Sequence, residues 1–175
     1  MKKIFVLVAV VILGMTSMFS GCLQKGTGVL TIKLTDAPSD LNISEALITM
    51  SMLEVHYAGV NDTNESFGEW ITIANESQTF DLIQLQDVTT LFGEANISAG
   101  WYTQIRLHVD QALVTIDDIQ YNLEIPSKEI KLIKPFQILD NETLVLILDF
   151  DIQKSIHENG SGDYILRPTI KVTQE

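Results

Sequence analysis

Gly100-Trp101-Tyr102-Thr103-Gln104-Ile105-Arg106-Leu107-His108-Val109 decides the fold class. Ile105, Leu107 and Val109 fall on one side of an extended chain, and Gln104, Arg106 and His108 on the other. A period of two is the signature of a strand with one face against a core and one toward water. Working outward, Leu30, Ile32 and Leu34 alternate with Thr31, Lys33 and Thr35 in the same way, until Asp36-Ala37-Pro38-Ser39-Asp40 breaks the run with turn chemistry. Residues 46–57 read as a second strand whose apolar phase changes from Ile48, Met50 and Met52 to Leu53, Val55 and Tyr57, which predicts a bulge near Met52.

Further strands are expected over 70–74, 79–82, 112–116, 121–125, 129–132, 143–149 and 165–172, with one helical turn near 87–92. Leu144-Val145-Leu146-Ile147-Leu148 is apolar on both faces and belongs in the middle of a sheet. Many short strands without a long amphipathic helix predict an all-β fold. The expectation is an antiparallel β-sandwich, immunoglobulin- or transthyretin-like, with at most one short helix.

The N-terminus supplies an address. Lys2 and Lys3 precede an uncharged apolar run from Ile4 to about Phe19, then Ser20-Gly21-Cys22. That order is a secretory signal. The run is shorter than the ~20 apolar residues that a spanning helix needs, so cleavage is expected over retention as an anchor. Small residues directly before a cysteine resemble the lipobox of prokaryotic lipoproteins, although Phe19 stands where an aliphatic residue is usual. On this reading residues 1–21 are a signal peptide, 22–27 a tether lipidated at Cys22, and 28–175 a single β-sandwich domain. Cys22 is the sole cysteine, so no intramolecular disulfide can staple the exported chain and its stability must come from its core.

The formal charge of −12 becomes −14 once Lys2 and Lys3 are removed, which disfavours nucleic acid as a partner. Of eight asparagines, seven lie in an Asn-x-Ser/Thr frame: Asn42, Asn61, Asn64, Asn75, Asn96, Asn141 and Asn159. Chance would place roughly one. A glycan is bulky and must point to water, so these positions are expected in turns and at strand ends. Lipobox and dense sequons together suggest an archaeal surface glycoprotein on the outer face of the cytoplasmic membrane.

Residues that could carry chemistry are few. Asp149 and Asp151 could present carboxylates from one strand end, with Asp36, Asp40 or Asp163 approaching from loops. Calcium is the cofactor such oxygens would hold, but it takes six to eight ligands, so capping or pairing is the expectation. Arg106 and Arg167 are the only arginines, each placed by periodicity within a strand, and pairing with Asp149 or Asp151 is expected from the guanidinium's planar fork, with capture of an acidic ligand as the alternative. His56, His108 and His157 lack a zinc spacing, and no nucleophile elbow or phosphate-binding glycine loop is present. No cofactor and no enzyme activity are therefore expected, a metal-dependent hydrolase being the residual alternative. Trp70, Trp101, Tyr57, Tyr102, Tyr121 and Tyr164 could supply stacking surfaces for sugars if several share an exposed face.

Several segments resemble the uncharacterised domain family DUF4382: residues 28–38, Ala99-Gly100-Trp101-Tyr102-Thr103-Gln104-Ile105-Arg106-Leu107, Ile125-Pro126-Ser127, Leu148-Asp149-Phe150-Asp151 and Leu166-Arg167-Pro168-Thr169-Ile170. The resemblance spans nearly all of the mature chain, in order. It implies an exported archaeal or bacterial domain, often behind a lipobox, with no established activity. Ala99-Gly100-Trp101-Tyr102 is also similar to a turn of transthyretin-like and carbohydrate-binding sandwiches, a likeness of fold that does not transfer function. The function expected is a lipid-anchored surface module binding carbohydrate, a surface-layer component or an envelope protein. The alternative is a glycosylated structural spacer.

Overall fold

The strand that opens at Gly100 runs further than its periodicity announced. In the computed structural model, which describes residues 26–37, 42–60 and 68–175, it continues without a break to Ile116. In chain order the strands are β1 (Thr27–Asp36), β2 (Ile43–Gly59), β3 (Glu69–Ala74), β4 (Gln78–Asp81), β5 (Thr90–Ser98), β6 (Gly100–Ile116), β7 (Ile119–Glu124), β8 (Glu129–Ile138) and β9 (Thr143–Phe150). A one-turn helix α1 (Ile152–Ser155) follows, then β10 (Ile156–Glu158), β11 (Tyr164–Leu166) and β12 (Ile170–Gln174).

Two sheets form. The smaller has the order β12-β9-β1-β5, and the larger, eight-stranded sheet follows β10-β11-β7-β6-β2-β3, with β4 on β2 and β8 on β6. Leu30, Ile32 and Leu34 of β1 and Leu146 and Leu148 of β9 are buried, as are Leu53 and Val55 of β2 and Ile105, Leu107 and Val109 of β6. Each such side chain contributes about 1.5–3 kcal/mol when removed from water. This core holds an all-β sandwich together.

The sheets are mixed where antiparallel ones were expected. β1 pairs β5 antiparallel but β9 parallel, and β11 pairs β7 parallel. Alternation reports which face is buried and says nothing of a neighbour's direction. The phase change in β2 does appear as a register shift between Met50 and Met52, as predicted. β9 lies in the interior of its sheet, also as expected, although its second face at Val145 and Ile147 is only half-buried.

Three local expectations are corrected. The helical turn falls at Leu82–Leu85, where the Asp81 side chain accepts from the Ile83 N–H at 3.2 Å, and Thr90 already begins β5. β5 itself escaped the pattern because Gly93 interrupts it. A Cβ there would stand 3.1 Å from Leu53 Cδ2 and 3.2 Å from the Ala74 Cβ, so glycine lets β5 approach the larger sheet. Finally, the strand expected over 165–172 is divided into β11 and β12 by Arg167-Pro168-Thr169, since proline offers no N–H to a ladder.

Candidate functional site

The outer face of the larger sheet gathers the polar side chains that alternation turns away from the core. Register places Glu54 of β2 opposite Arg106 of β6, His56 opposite Gln104, and Trp70 of β3 opposite His56. On the far side of β6, Lys131 and Glu129 of β8 lie opposite Arg106 and His108. One row of cross-strand neighbours thus carries both charge signs and an indole.

Arg106 is the centre of this row. Its Cζ lies 3.7 Å from the Trp70 ring centroid, Nη1 is 3.7 Å from Glu54 Oε2, and Nε is 3.3 Å from Glu129 Oε1. His108 Nε2 approaches the same Glu54 oxygen at 3.5 Å, and Lys131 Nζ holds Glu129 at 3.0 Å. The Lys131 hydrogen bond, helped by the nearby Arg106 charge, keeps the Glu129 carboxyl below its usual range. His56 meets Trp70 edge-on at 5.0 Å, while its Nδ1 lies 2.9 Å from Thr103 Oγ1. Trp70 is thereby fixed from two sides. Ile133 of β8, opposite Gln104, is 83% exposed and extends the face with apolar surface.

The predicted arginine–aspartate pairing is not formed. Arg106 takes Glu54 and Glu129 in place of Asp149 or Asp151, because the aspartates belong to the other sheet's β9 and the turn after it. Arg167 is exposed between β11 and β12 and makes no ion pair with a described residue, so its expected place within a strand is corrected too. Asp151 caps α1, accepting from the Lys154 N–H at 3.0 Å, and its other oxygen pairs Lys154 Nζ at 2.5 Å. That ammonium holds the Asp151 carboxyl below its usual range. Asp36 is buried at the end of β1, and Asp163 lies away from both, bonded to Ser161 in the loop before β11. Among the described residues, no group of three acidic, histidine or cysteine side chains converges as metal ligands. Asp40 lies outside the described residues.

The tyrosines pack within the core or against it. Tyr102 is fully buried, stacked on Phe136 at 5.2 Å, with its hydroxyl donating to the Ser98 carbonyl at 2.9 Å. Tyr121 and Tyr164 form an edge-on pair at 4.8 Å across β7 and β11.

Cys22, Asn61 and Asn64 lie outside the described residues. The other sequon asparagines do not enter any strand of the larger sheet. Asn42 precedes β2, Asn75 follows β3, Asn141 sits in the β8–β9 turn at φ +58°, and Asn159 follows β10. Asn96 departs from the turn expectation. It is exposed within β5, the edge strand of the smaller sheet.

Glu54 and Glu129 were missed by sequence reasoning, which looked for the arginine's partners among aspartates. A usable signal was present in Glu54-Val55-His56 and Arg106-Leu107-His108, two alternating runs with charges on their polar phases that antiparallel pairing brings together.

No curated protein and no solved structure matches the chain. A family model described as "Domain of unknown function (DUF4382)" matches residues 27–168. That match takes in every strand from β1 to β11, hence the whole larger sheet with its Arg106 row and three strands of the smaller one, and the chain belongs to the DUF4382 family.

Proposed function

We propose that this chain is a non-catalytic module displayed on the outer face of a cytoplasmic membrane, tethered by lipid on Cys22, which binds carbohydrate on the outer face of its larger sheet. The observation that carries the reading is the pre-ordered Trp70–Arg106 stack, with Ile133 exposed nearby and no described sequon asparagine on the strands of that sheet. A sugar ring offers C–H groups to apolar surface and hydroxyls to fixed charges at its rim. Glu54 and Glu129 flank Arg106 and pair with it from both sides, so binding need not order that guanidinium first.

A spacer would have no reason to keep one face clear of glycans, whereas a binding face must. The sequons that are described cluster at strand ends and on the smaller sheet, which favours binding.

Full-length protein on an array of glycans and cell-wall polysaccharides, with calcium and with chelator, tests the proposal. Retained ligands should be lost by at least tenfold in Trp70→Ala and in Ile133→Glu, the second variant altering an exposed side chain without touching the core. Absence of any glycan ligand, or ligands indifferent to both substitutions, would refute it.

A further inference from the structure

Residues far apart in the chain meet beside the β7–β8 and β11–β12 connections to form a groove of about 270 Å³. Pro126, Ile130, Leu166 and Pro168 supply apolar walls, and Arg167 lines it with them. We propose that this groove captures an extended acidic peptide, an apolar side chain settling between the walls and a neighbouring carboxylate pairing with Arg167.

Charge is the first argument. The overall charge of −12 opposes an acidic ligand at long range, but screening confines that repulsion to about 8–10 Å, so the local cation decides, and the chain's other arginine is already engaged by Glu54, Glu129 and Trp70. Arg167 is exposed, and what its main chain does is structural: its N–H donates to the Ser155 carbonyl at 2.8 Å, which fixes the backbone and leaves the guanidinium fork available. Glu129 also lines the groove, but Lys131 and Arg106 hold its carboxylate. A planar fork without a carboxylate among the described residues, set beside apolar walls, is suited to bidentate pairing with an incoming one.

The choice of peptide over sugar follows from the remaining polar groups. The Ser127 hydroxyl donates to the Glu129 carbonyl at 2.7 Å, so it is spent within the connection, and the walls offer few partners for a ring of hydroxyls. β8, which begins at the groove with Glu129 and Ile130, has a single ladder, with β6. Its other edge carries no strand among the described residues; the Ser127 hydroxyl takes up the outward N–H and carbonyl of Glu129, so an added main chain would pair with this edge from Lys131 onward. The groove's volume suits one or two side chains, not a folded surface.

The probe is a hexapeptide, Val-Glu-Val-Glu-Val-Leu, with a fluorophore acylating its N-terminus and a free C-terminus, followed by fluorescence anisotropy as full-length protein is titrated into it. Binding should weaken by at least tenfold in Arg167→Gln, in the peptide with glutamine for glutamate and an amidated end, and on raising salt. Arg167 is exposed, so an unchanged melting temperature should accompany the loss. Equal affinity of Arg167→Gln, equal affinity of the uncharged peptide, or no binding into the millimolar range would each overturn the proposal. Arg167-dependent binding of a uronic-acid oligosaccharide without binding of the peptide would overturn it as well, by reassigning the groove to an acidic sugar.

Discussion

Asp36→Asn should stabilise this protein at neutral pH and leave it unchanged in mild acid. Asp36 is 2% exposed at the end of β1. Its Oδ1 accepts the Ile152 N–H at 3.0 Å, and Oδ2 has no aligned donor. Burial pushes its pKa from 3.8 to about 7; the Ile152 N–H and the nearby Gln86 side chain oppose the shift, while Asp151 and Asp149 add to it. Between these two values the folded protein holds a proton that the unfolded chain has released, so stability falls as pH rises through this window. Three pKa units correspond to about 4 kcal/mol at the limit. Water entry and a small shift of α1 would relieve part of it, leaving about 3 kcal/mol, or roughly 6–12 °C for a domain of this size. Asparagine keeps an acceptor for the Ile152 N–H without a charge to bury. Asp151 has the opposite sign: its lowered pKa gives stability above the ordinary carboxylate range that is lost only in stronger acid, outside the window. Melting temperatures of both proteins from pH 4 to pH 8 provide the assay. The wild type should lose stability with rising pH and the variant should stay nearly level; parallel curves would refute the assignment of that slope to Asp36.

Two other substitutions test the frame around the site. Gly100→Ala should cost about 1–3 kcal/mol in denaturant unfolding, because Gly100 has φ +146° and an added Cβ would stand 2.7 Å from the Gly59 carbonyl and from the Tyr57 ring. Asp151→Ala should lose about 1 kcal/mol, since the Lys154 N–H at the start of α1 forfeits its cap, and the loss should shrink as pH falls below the ordinary carboxylate range and the wild-type carboxyl takes up a proton.

Period two carried most of the fold because burial is a local property of a strand. Ile105, Leu107 and Val109 alternate with polar neighbours, and each is buried as its position implies. The change of phase near Met52 was legible for the same reason: one extra residue reverses every side chain beyond it. Parallel pairing of β1 with β9 was not, since Val29-Leu30-Thr31 has the same alternation whichever way Thr143-Leu144-Val145 runs beside it. β5 was hidden by Gly93, whose missing side chain is a fact of packing between the sheets and leaves a gap in the apolar pattern. Pro168 was visible, but an apolar run of Ile165, Leu166, Ile170 and Val172 outweighed it.

The sites were harder to read because each depends on which strands become neighbours. Arg106 shows itself as an arginine on the polar phase of a strand, and nothing within residues 100–109 distinguishes Glu54 from Asp149 as its partner. The distinction arises when β2 lies antiparallel to β6 in one register, which places Glu54 opposite Arg106 and leaves Asp149 in the other sheet. The two arginines then diverge in environment. Arg106 is enclosed by two carboxylates and an indole, where its charge is spent on ordering the sheet face. Arg167, displaced from a strand by the proline after it, keeps its fork beside a groove. A guanidinium that already has partners costs more to redirect than one that has none, because redirecting it leaves half-buried carboxylates without their counter-charge. The sheet face should therefore bind its ligand through surfaces beside Arg106, with that residue as a fixed support, whereas the groove should bind through Arg167 itself. Salt separates the two modes: raising ionic strength should weaken capture at the groove and leave glycan binding on the sheet face nearly unchanged.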